Sequence, residues 1–242
     1  TVGEPINPEV WVWYFKIIGK ENCPIVDTWW QTETGGLMIS NLPGLETIPL
    51  KPGSATKPIP GAQISVVDAT GNDLAANTKG YLVIKNPWPG MLLTLWNDDA
   101  KYKSVYWSKY ENAYYPGDYA IKDNDGYIWL LGRADDVLKV AGHRIGTAEL
   151  ESSIVSHKDV AEAAVCGIPH KVKGEAIIAF VVLKEGVKKT GDLLKKEIIE
   201  VIRSGVGAIA TPEQIHFVTR LPKTRSGKIM RRLLKAIANN DN

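Results

Sequence analysis

The hydrophobic pattern at the start of the chain predicts a short helix followed by a strand. In the segment NPEVWVWYFKIIG, Asn7 suits the N-cap, Pro8 the first helical position and Gly19 the end. The next run, CPIVDTWW, predicts a short buried strand. This strand leads into a loop with a glycine pair, which does not belong inside a helix or strand.

Between residues 50 and 131 the pattern changes to alternation of apolar and polar positions with period two. The segments AQISVVDATGNDL and KGYLVIKNPWPG both show it, and Gly, Asn and Asp turns separate them. In DNDGYIWLLG, the D-G pair indicates a hairpin turn before a further strand. We therefore expect a β-barrel-like or two-sheet unit in this part of the chain.

The remaining residues predict a second unit with both helices and strands. Charges and glycines dominate residues 132–146, which we expect to form a linker or hinge. TAELESSIVSH and GDLLKKEIIEVIRSG then place apolar residues at helical spacing. VAEAAVCGIP and EAIIAFVVLKEG predict a strand pair. This part has about 105 residues, which is enough to fold alone, so the expected fold class is α+β with more than one domain.

Composition excludes several classes of protein. The chain has 242 residues, 44% of them hydrophobic, and a formal net charge of +2, so composition alone does not argue for a nucleic-acid-binding protein. Its two cysteines, Cys23 and Cys166, have no C-x-x-C spacing. This excludes a disulfide framework and a thiolate zinc site, and it favours a reducing compartment such as the cytoplasm.

No membrane association is expected. The longest apolar runs, such as AIIAFVVL, are far shorter than a membrane span, and we identify no signal peptide. The first residues, TVGEPINPEV, lack an initiator Met, so we expect the chain to be a fragment of a longer protein.

Three segments carry candidate chemistry, namely DTWWQTETGG, YYPGDYAIKDNDGYIWLLGRADDVLKVAGHRIG and LPKTRSGKIMRR. In this order they resemble the adenylate-forming acyl-CoA ligase superfamily over nearly the whole chain. WWQTETGG and GHRIGTAELE are similar to its acetyl-CoA synthetase branch in particular. One such motif alone is weak evidence, whereas three in the family's order form a specific signal.

The resemblance implies a domain division and a reaction. Residues 1–132 would be the C-terminal part of a large AMP-binding (adenylation) domain with a β subdomain, and residues 133–242 a hinge and a small mobile C-terminal domain. In the family, a carboxylate, here acetate, attacks the α-phosphate of ATP to give an acyl adenylate and pyrophosphate. The thiol of coenzyme A then expels AMP. The first step gathers negative charges, so it needs cations such as Mg²⁺, amide donors and positioning.

By the same resemblance, the first two segments supply the nucleotide site. Thr32 and Glu33 lie near the α-phosphate and the magnesium ion, with Glu33 catalytic, and the glycine pair after them lets the backbone approach a ligand. Asp118 accepts both ribose hydroxyls, and Arg133 reaches the ribose and phosphate. The implied nucleotide-binding positions are Gly3, Glu4, Pro5, Asp27, Thr28, Trp29, Trp30, Gln31, Thr32, Asp118, Arg133 and Arg144.

Trp30 is also expected to end the acyl pocket, where it fills space that a longer acid needs. Exclusion of one methylene by shape is worth roughly 1–3 kcal/mol, so the preference for acetate is incomplete and a propionate ligase is an alternative. Both Trp29 and Trp30 also suit plain core aromatics, and Asp118 suits an ordinary turn.

The last segment supplies the mobile catalytic group. Lys228 would bring its ammonium to the carboxylate and α-phosphate, and acetylation by a lysine acetyltransferase, reversed by a deacetylase, would remove that charge. Asp135 would be the hinge. The implied coenzyme A positions are Ala141, Gly142 and Arg203, and the implied magnesium positions are Val155, His157 and Val160.

Other interpretations stay open at several of these positions. RADD suits a polar turn, Arg203 a solvated helix end, and His157 a lone exposed histidine without a role. The basic run at residues 220–235 suits nucleic acid electrostatically, but no aromatic residue follows it to stack on bases, so this is not favoured.

The sequence departs from the family in three ways. Lys139 replaces a frequent Asn, Ala141 replaces a frequent Ser, and the phosphate loop T-S-G-S-T-G-x-P-K-G is not found. We therefore expect the isolated chain to be inactive in adenylation, and a non-catalytic nucleotide-binding fragment is a further alternative.

Overall fold

The computed structural model describes residues 1–189 and 191–239, which form two compact units, Thr1–Ala134 and Asp135–Asn242. The sequence-based domain boundary between residues 132 and 133 stays a prediction. Each unit is described by itself.

The first unit opens with the expected helix. Helix α1 spans Pro8–Trp13, and the side-chain oxygen of Asn7 accepts hydrogen bonds from the backbone N–H groups of Glu9 and Val10 at 2.8 and 3.3 Å. One π-helical turn, Tyr14–Ile18, continues it. The capping prediction is confirmed because the Asn-Pro pair satisfies free N–H groups at the helix start.

Two antiparallel sheets follow. Their strands are β1 Thr28–Gln31, β2 Gly36–Ser40, β3 Ile64–Val67, β4 Lys79–Ile84, β5 Asp118–Lys122 and β6 Ile128–Arg133, with helix α2 Asp99–Tyr106 between β4 and β5. β1 and β2 form a hairpin, and β3 to β6 pair in chain order. The connecting residues 56–58 lie between the two sheets and pair with Ile39 and Ile128.

The two-sheet alternative is confirmed, and the sheets do not close into a barrel within the described residues. Among the described residues, β3 and β6 are the outer strands of their sheet and do not pair with each other, so no barrel closes. Period-two alternation fixes which face of a strand is buried, but it does not fix whether the end strands meet.

The second unit is a five-stranded sheet covered on both faces. Its elements are β7 Leu138–Val140, β8 His143–Ile145, α3 Thr147–Val155, β9 Val160–His170, β10 Gly174–Leu183, α4 Gly191–Gly205, β11 Gln214–Phe217 and α5 Arg231–Asn239. β10 is antiparallel to β9 and β7 and parallel to β11, and β7 and β8 form a hairpin.

Successive residues of β10 face different cores, which explains its continuous apolar run. Ile177 and Ala179 pack with α3 and α4, whereas Ile178 and Phe180 pack with Leu234 of α5. The predicted strand pair and both predicted helices of this unit are therefore confirmed.

The structure adds elements that the pattern did not predict. Residues 132–146, expected to be a linker, contain the hairpin β7–β8, whose three-residue strands are too short to show alternation. The pattern also does not predict helices α2 and α5 and strand β11, because α2 and β11 are short and α5 lies in a basic run. None of the helices in the described ranges combines the length and apolar character needed to cross a membrane.

Candidate nucleotide site and lysine loop

Asp118 is the centre of a hydrogen-bonded group in the first unit. It begins β5, is 8% exposed, and accepts a hydrogen bond from the indole N–H of Trp29 on β1 at 3.0 Å. The side-chain amide of Gln31 and Nη1 of Arg133 approach its two oxygens at 3.4 Å each. Three sequence-predicted residues, Trp29, Gln31 and Arg133, thus surround the buried carboxylate of a fourth, Asp118.

The backbone carbonyl of Pro116 also binds two members of this group. It accepts hydrogen bonds from the Gln31 amide at 2.8 Å and from Nη1 of Arg133 at 2.7 Å. Gly117, with φ of +80°, lies between Pro116 and Asp118, and a Cβ there would be 2.3 Å from Nη2 of Arg133. The glycine of YPGD is therefore needed for the approach of the guanidinium.

Two tyrosines complete the group, and sequence reasoning missed both. The Tyr114 hydroxyl donates to Gln31 at 2.9 Å, and the Tyr106 hydroxyl donates to Oε1 of Glu33 at 2.8 Å. Their rings stack with centroids 5.4 Å apart. Burial first, then the Glu33 carboxylate, raises the pKa of Tyr106 to about 12 and raises that of Tyr114 as well, so both stay protonated donors at neutral pH.

The tight turn after β1 fixes Glu33. Residues Thr32–Thr34 form one 3₁₀ turn, and the Thr34 hydroxyl accepts the N–H of Gln31 at 3.0 Å. Gly35 has φ of +67°, and a Cβ there would be 1.9 Å from the carbonyl oxygen of Gly90. The close approach of the Gly90 backbone thus explains why position 35 is a glycine.

The two neighbouring tryptophans have different environments because β1 alternates its faces. Trp29 is 8% exposed and belongs to the core, whereas Trp30 is 46% exposed. Trp29 is therefore both a core aromatic and a partner of Asp118. Asp27 is buried beside the hydroxyl of Thr1 at 2.5 Å, and burial raises its pKa. Of the remaining predicted positions, Gly3, Glu4, Pro5 and Thr32 are exposed and Thr28 is half-buried.

In the second unit, Lys228 lies exposed in a closed loop. Its N–H donates to the Thr224 hydroxyl at 3.1 Å, and its carbonyl accepts the Thr224 N–H at 2.8 Å. Lys223 and Ile229 pair at the base of the loop. The loop therefore holds the Lys228 backbone while leaving its side chain in solvent.

Two of the three coenzyme A candidates, Ala141 and Arg203, line one groove. Ala141 and Gly142, with φ of +47° and +82°, form the two-residue turn of the β7–β8 hairpin, a conformation that favours Asn-Gly. Ala141 and Arg203 line a groove of about 340 Å³ together with Lys173 and Thr211. No described atom lies within 4 Å of a Cβ placed on Gly142, so its φ, rather than crowding within this unit, accounts for the glycine.

His157 is buried, so the alternative of a lone exposed histidine is wrong. It is 7% exposed, its Nδ1 accepts the N–H of Asp159 at 3.2 Å, and its Nε2 lies 3.1 Å from Glu197. Lys189 pairs with Asp159 and Glu197 at 2.9 and 2.5 Å, which lowers the pKa of both carboxyls and raises that of Lys189. The single ammonium thus offsets part of the negative charge of the two carboxylates. Of the other predicted positions, Asp135 and Arg144 are exposed, Val155 is half-buried and Val160 is buried.

Family models match part of each unit. A family model of AMP-binding enzymes matches residues 1–96, and one of the AMP-binding enzyme C-terminal domain matches residues 149–228. Both models describe parts of AMP-binding enzymes, and together they match 96 plus 80, or 176, of the 242 residues. The resemblance inferred from the three segments is therefore confirmed.

Curated relatives and solved structures agree with this family. Acetyl-coenzyme A synthetases of Pyrobaculum arsenaticum and Chlorobaculum tepidum are 60% and 55% identical over 98% of the chain, which covers 35% and 36% of their length. The crystal structure of the anthranilate CoA ligase AuaEII in complex with anthranoyl-AMP is 31% identical, with a TM-score of 0.84 over 98% of this chain and 43% of that one. The chain thus spans about a third of the curated relatives it matches.

Proposed function

We propose that this chain supplies the ribose-binding and lysine-bearing part of an AMP-forming acetate–CoA ligase. Such an enzyme converts acetate, ATP and coenzyme A to acetyl-CoA, AMP and pyrophosphate through acetyl-adenylate. Identity of 55–60% with acetyl-coenzyme A synthetases supports the proposal. The observation that carries it is the buried Asp118 carboxylate, held between Trp29 and Arg133.

In this proposal, Asp118 receives the two ribose hydroxyls. A carboxylate has about four acceptor sites, and two neighbouring hydroxyls match its two oxygens. Trp29 makes the short bond at 3.0 Å, while those from Gln31 and Arg133 are long at 3.4 Å and easily exchanged. Because Asp118 is already mostly buried, little further desolvation is needed on binding.

Glu33 has the chemistry expected of a ligand to Mg²⁺ carried by ATP. Magnesium in nucleotide sites takes one or two carboxylates together with phosphate oxygens. The Tyr106 hydroxyl donates to Oε1 of Glu33 and so restricts the orientation of the carboxylate, which supports this role. When bound, Mg²⁺ would neutralise phosphate charge during attack by acetate.

The second proposed metal position fits less well. The His157 carbonyl accepts the N–H of Val160 at 3.0 Å, and both imidazole nitrogens have partners within the fold. Lys189 supplies a positive charge beside them. No step of the mechanism is therefore assigned to a metal at Val155, His157 and Val160.

The second unit is proposed to serve both chemical steps by turning about Asp135. In adenylation, the Lys228 ammonium neutralises charge that develops between the acetate carboxylate and the α-phosphate. In the second step, the turn at Ala141 and Gly142 faces the pantetheine arm, and Arg203 meets the nucleotide end of coenzyme A. The shared groove of Ala141 and Arg203 supports this part. Acetylation of Lys228 would stop adenylation by removing the cation, and deacetylation would restore it.

Trp30 is proposed to select the acid. Its indole is exposed on the face of β1 opposite the core, which supports the proposal that it ends the acyl pocket. We propose that the protein works in a reducing compartment such as the cytoplasm, so the assay contains a reductant. It measures AMP formation by the complete protein with acetate, propionate or butyrate. We expect kcat/KM for acetate to exceed that for propionate by about 10- to 200-fold. Equal values would favour the propionate alternative.

The isolated 242 residues are proposed to bind nucleotide without forming acyl adenylate, because their sequence has no phosphate-loop motif. Calorimetry should detect AMP binding, while AMP production from acetate, ATP and coenzyme A should be at background. Robust turnover would contradict the proposed inactivity. Salt-dependent RNA binding without AMP binding would favour a nucleic-acid-binding module instead.

A further inference from the structure

We infer that the ion pair between Glu151 and Arg231 positions the Lys228 loop for acyl-adenylate formation, an inference that rests on the proposed role of Lys228. Arg231 donates through Nε to Oε1 of Glu151 at 3.1 Å and through Nη2 to Oε2 at 2.6 Å. Such a two-bond pair fixes the direction of both side chains as well as their distance. Arg231 lies three residues after Lys228 and begins helix α5.

Glu151 is itself immobilised by the sheet. It lies on α3, is 9% exposed, and accepts the backbone N–H of Val165 on β9 at 2.9 Å through Oε1. Within the described residues, β9 has β10 as its one ladder partner, so this N–H lies on the free side of β9. The pair therefore links α3, which packs on one face of the sheet, to α5 on the other face around the edge of β9.

The connection from Arg231 to Lys228 is short and closed. The N–H of Met230 donates to the carbonyl of Pro222 at 2.9 Å, and Lys223 pairs with Ile229. The Thr224 hydroxyl and carbonyl bonds then fix Lys228 within the loop. Because these hydrogen bonds constrain the segment between them, a shift of Arg231 should also move the backbone of Lys228.

Helix stability alone does not explain the choice of Arg231. The positive end of the helix dipole disfavours a cation in the first turn, and α5 has no acidic residue there. Leu234, which is 3% exposed, already supplies the apolar contact that docks α5 on the sheet. A buried charge pair adds directionality that such a contact lacks, and this is what a catalytic amine on a flexible stem requires.

The test compares the two half-reactions of the complete protein. Arg231→Gln and Glu151→Gln should each lower kcat for pyrophosphate release by about 10- to 100-fold, since small misplacement of a catalytic group is that costly. KM for ATP and the reaction of supplied acetyl-adenylate with coenzyme A should change less than about twofold. Gln at position 151 keeps an acceptor for Val165, which protects the fold.

Three further variants make the result specific. Arg231→Lys keeps the charge and one hydrogen bond, so it should recover part of the adenylation lost in Arg231→Gln. The double variant Glu151→Gln/Arg231→Gln should be no slower than the worse single variant, because both remove one interaction. Arg232→Gln, which changes the exposed neighbouring arginine, should stay within about twofold in both half-reactions.

The outcomes separate this inference from the proposed function. If Arg231→Gln and Glu151→Gln slow both half-reactions equally, or leave adenylation unchanged, the positioning role is wrong. The proposed function is still upheld in that case if Lys228→Ala slows adenylation. Undiminished adenylation in Lys228→Ala would overturn the role of Lys228 and the inference with it.

Discussion

The two units present their candidate residues in opposite ways. In residues 1–134 the side chains of Trp29, Gln31, Asp118 and Arg133 are joined to one another by hydrogen bonds and partly buried. In residues 135–242 the candidates other than the proposed metal positions are exposed, and Lys228 occupies the outer part of a loop.

This difference matches two physical tasks. A group that recognises a ribose gains from being oriented and desolvated before the ligand arrives. A cation that must arrive with a moving domain needs a free side chain on a fixed backbone, and the Lys228 loop and the Glu151–Arg231 pair have that construction. Changes in the first unit should therefore affect binding and stability together, whereas a change to the exposed side chain of Lys228 in the second unit should affect chemistry alone.

The largest effect is expected for Lys228→Ala in the complete protein. Loss of the ammonium should lower acetyl-adenylate formation by about 10²- to 10³-fold, because a cation at the developing charge is lost. The free energy of unfolding should change by less than about 0.5 kcal/mol, as for other exposed positions. Pyrophosphate release and denaturant titration measure the two quantities.

Arg225→Ala, in the same exposed loop, serves as the matched control for Lys228→Ala. It should leave adenylation within about twofold. Undiminished adenylation in Lys228→Ala would show that this loop does not deliver the catalytic charge.

Asp118→Ala should produce a smaller effect on chemistry but a clear effect on stability. AMP affinity should fall about 10- to 100-fold, since two charge-assisted hydrogen bonds to ribose are lost. The indole N–H of Trp29 also loses its acceptor, which costs about 1–3 kcal/mol of unfolding free energy. Calorimetry with AMP and denaturant titration of the chain test both parts.

Asp118→Asn separates the two contributions, because an amide oxygen still accepts from Trp29 while the carboxylate charge is gone. It should weaken AMP binding and retain most of the stability. Unaltered AMP affinity in both variants would reduce Asp118 to a structural aspartate.

The contrast between units also shows what the sequence can predict. Capping by Asn7 and the strand pair β9–β10 follow from neighbours in the chain, so local patterns identified them. The contact of Trp29 with Asp118 spans 89 residues, and that of Glu33 with Tyr106 spans 73. Spacing does not encode such pairings. The family resemblance named Trp29, Glu33 and Asp118 but gave no reason to include Tyr106.

In the second unit, the sequence missed elements whose signal is weak. The hairpin β7–β8 lies where glycines and charges suggested a linker, and only Leu138, Val140 and Ile145 are buried there. Helix α5 was hidden in a basic run, since its docking depends chiefly on one buried leucine and on Arg231. The partner of that arginine is 80 residues away, beyond the reach of any helical period.

Trp30→Gly should change the selectivity of the enzyme between acetate and longer acids. Removing an indole that is 46% exposed opens space for longer acids without removing core packing. We expect kcat/KM for butyrate in the complete protein to rise by about 10- to 200-fold and that for acetate to fall. Trp96→Gly, at another exposed tryptophan, should leave the ratio unchanged. If Trp30→Gly gains no longer acid, Trp30 does not end the pocket.

The smallest expected effect concerns the backbone of the turn at Ala141. A residue with a Cβ at φ of +47° is strained, and Asn tolerates this conformation better than Ala. Ala141→Asn should therefore raise the free energy of unfolding by about 0.5–1 kcal/mol, whereas Gly142→Ala, at φ of +82°, should lower it by about 1 kcal/mol. Denaturant titration of the chain, followed by a probe in the second unit, measures both. If Ala141→Asn is stabilising yet slows the coenzyme A step and spares adenylation, strain at this turn serves thioester formation. Equal free energies of unfolding for Ala141→Asn and the unaltered chain would show that the backbone of this turn stores no strain.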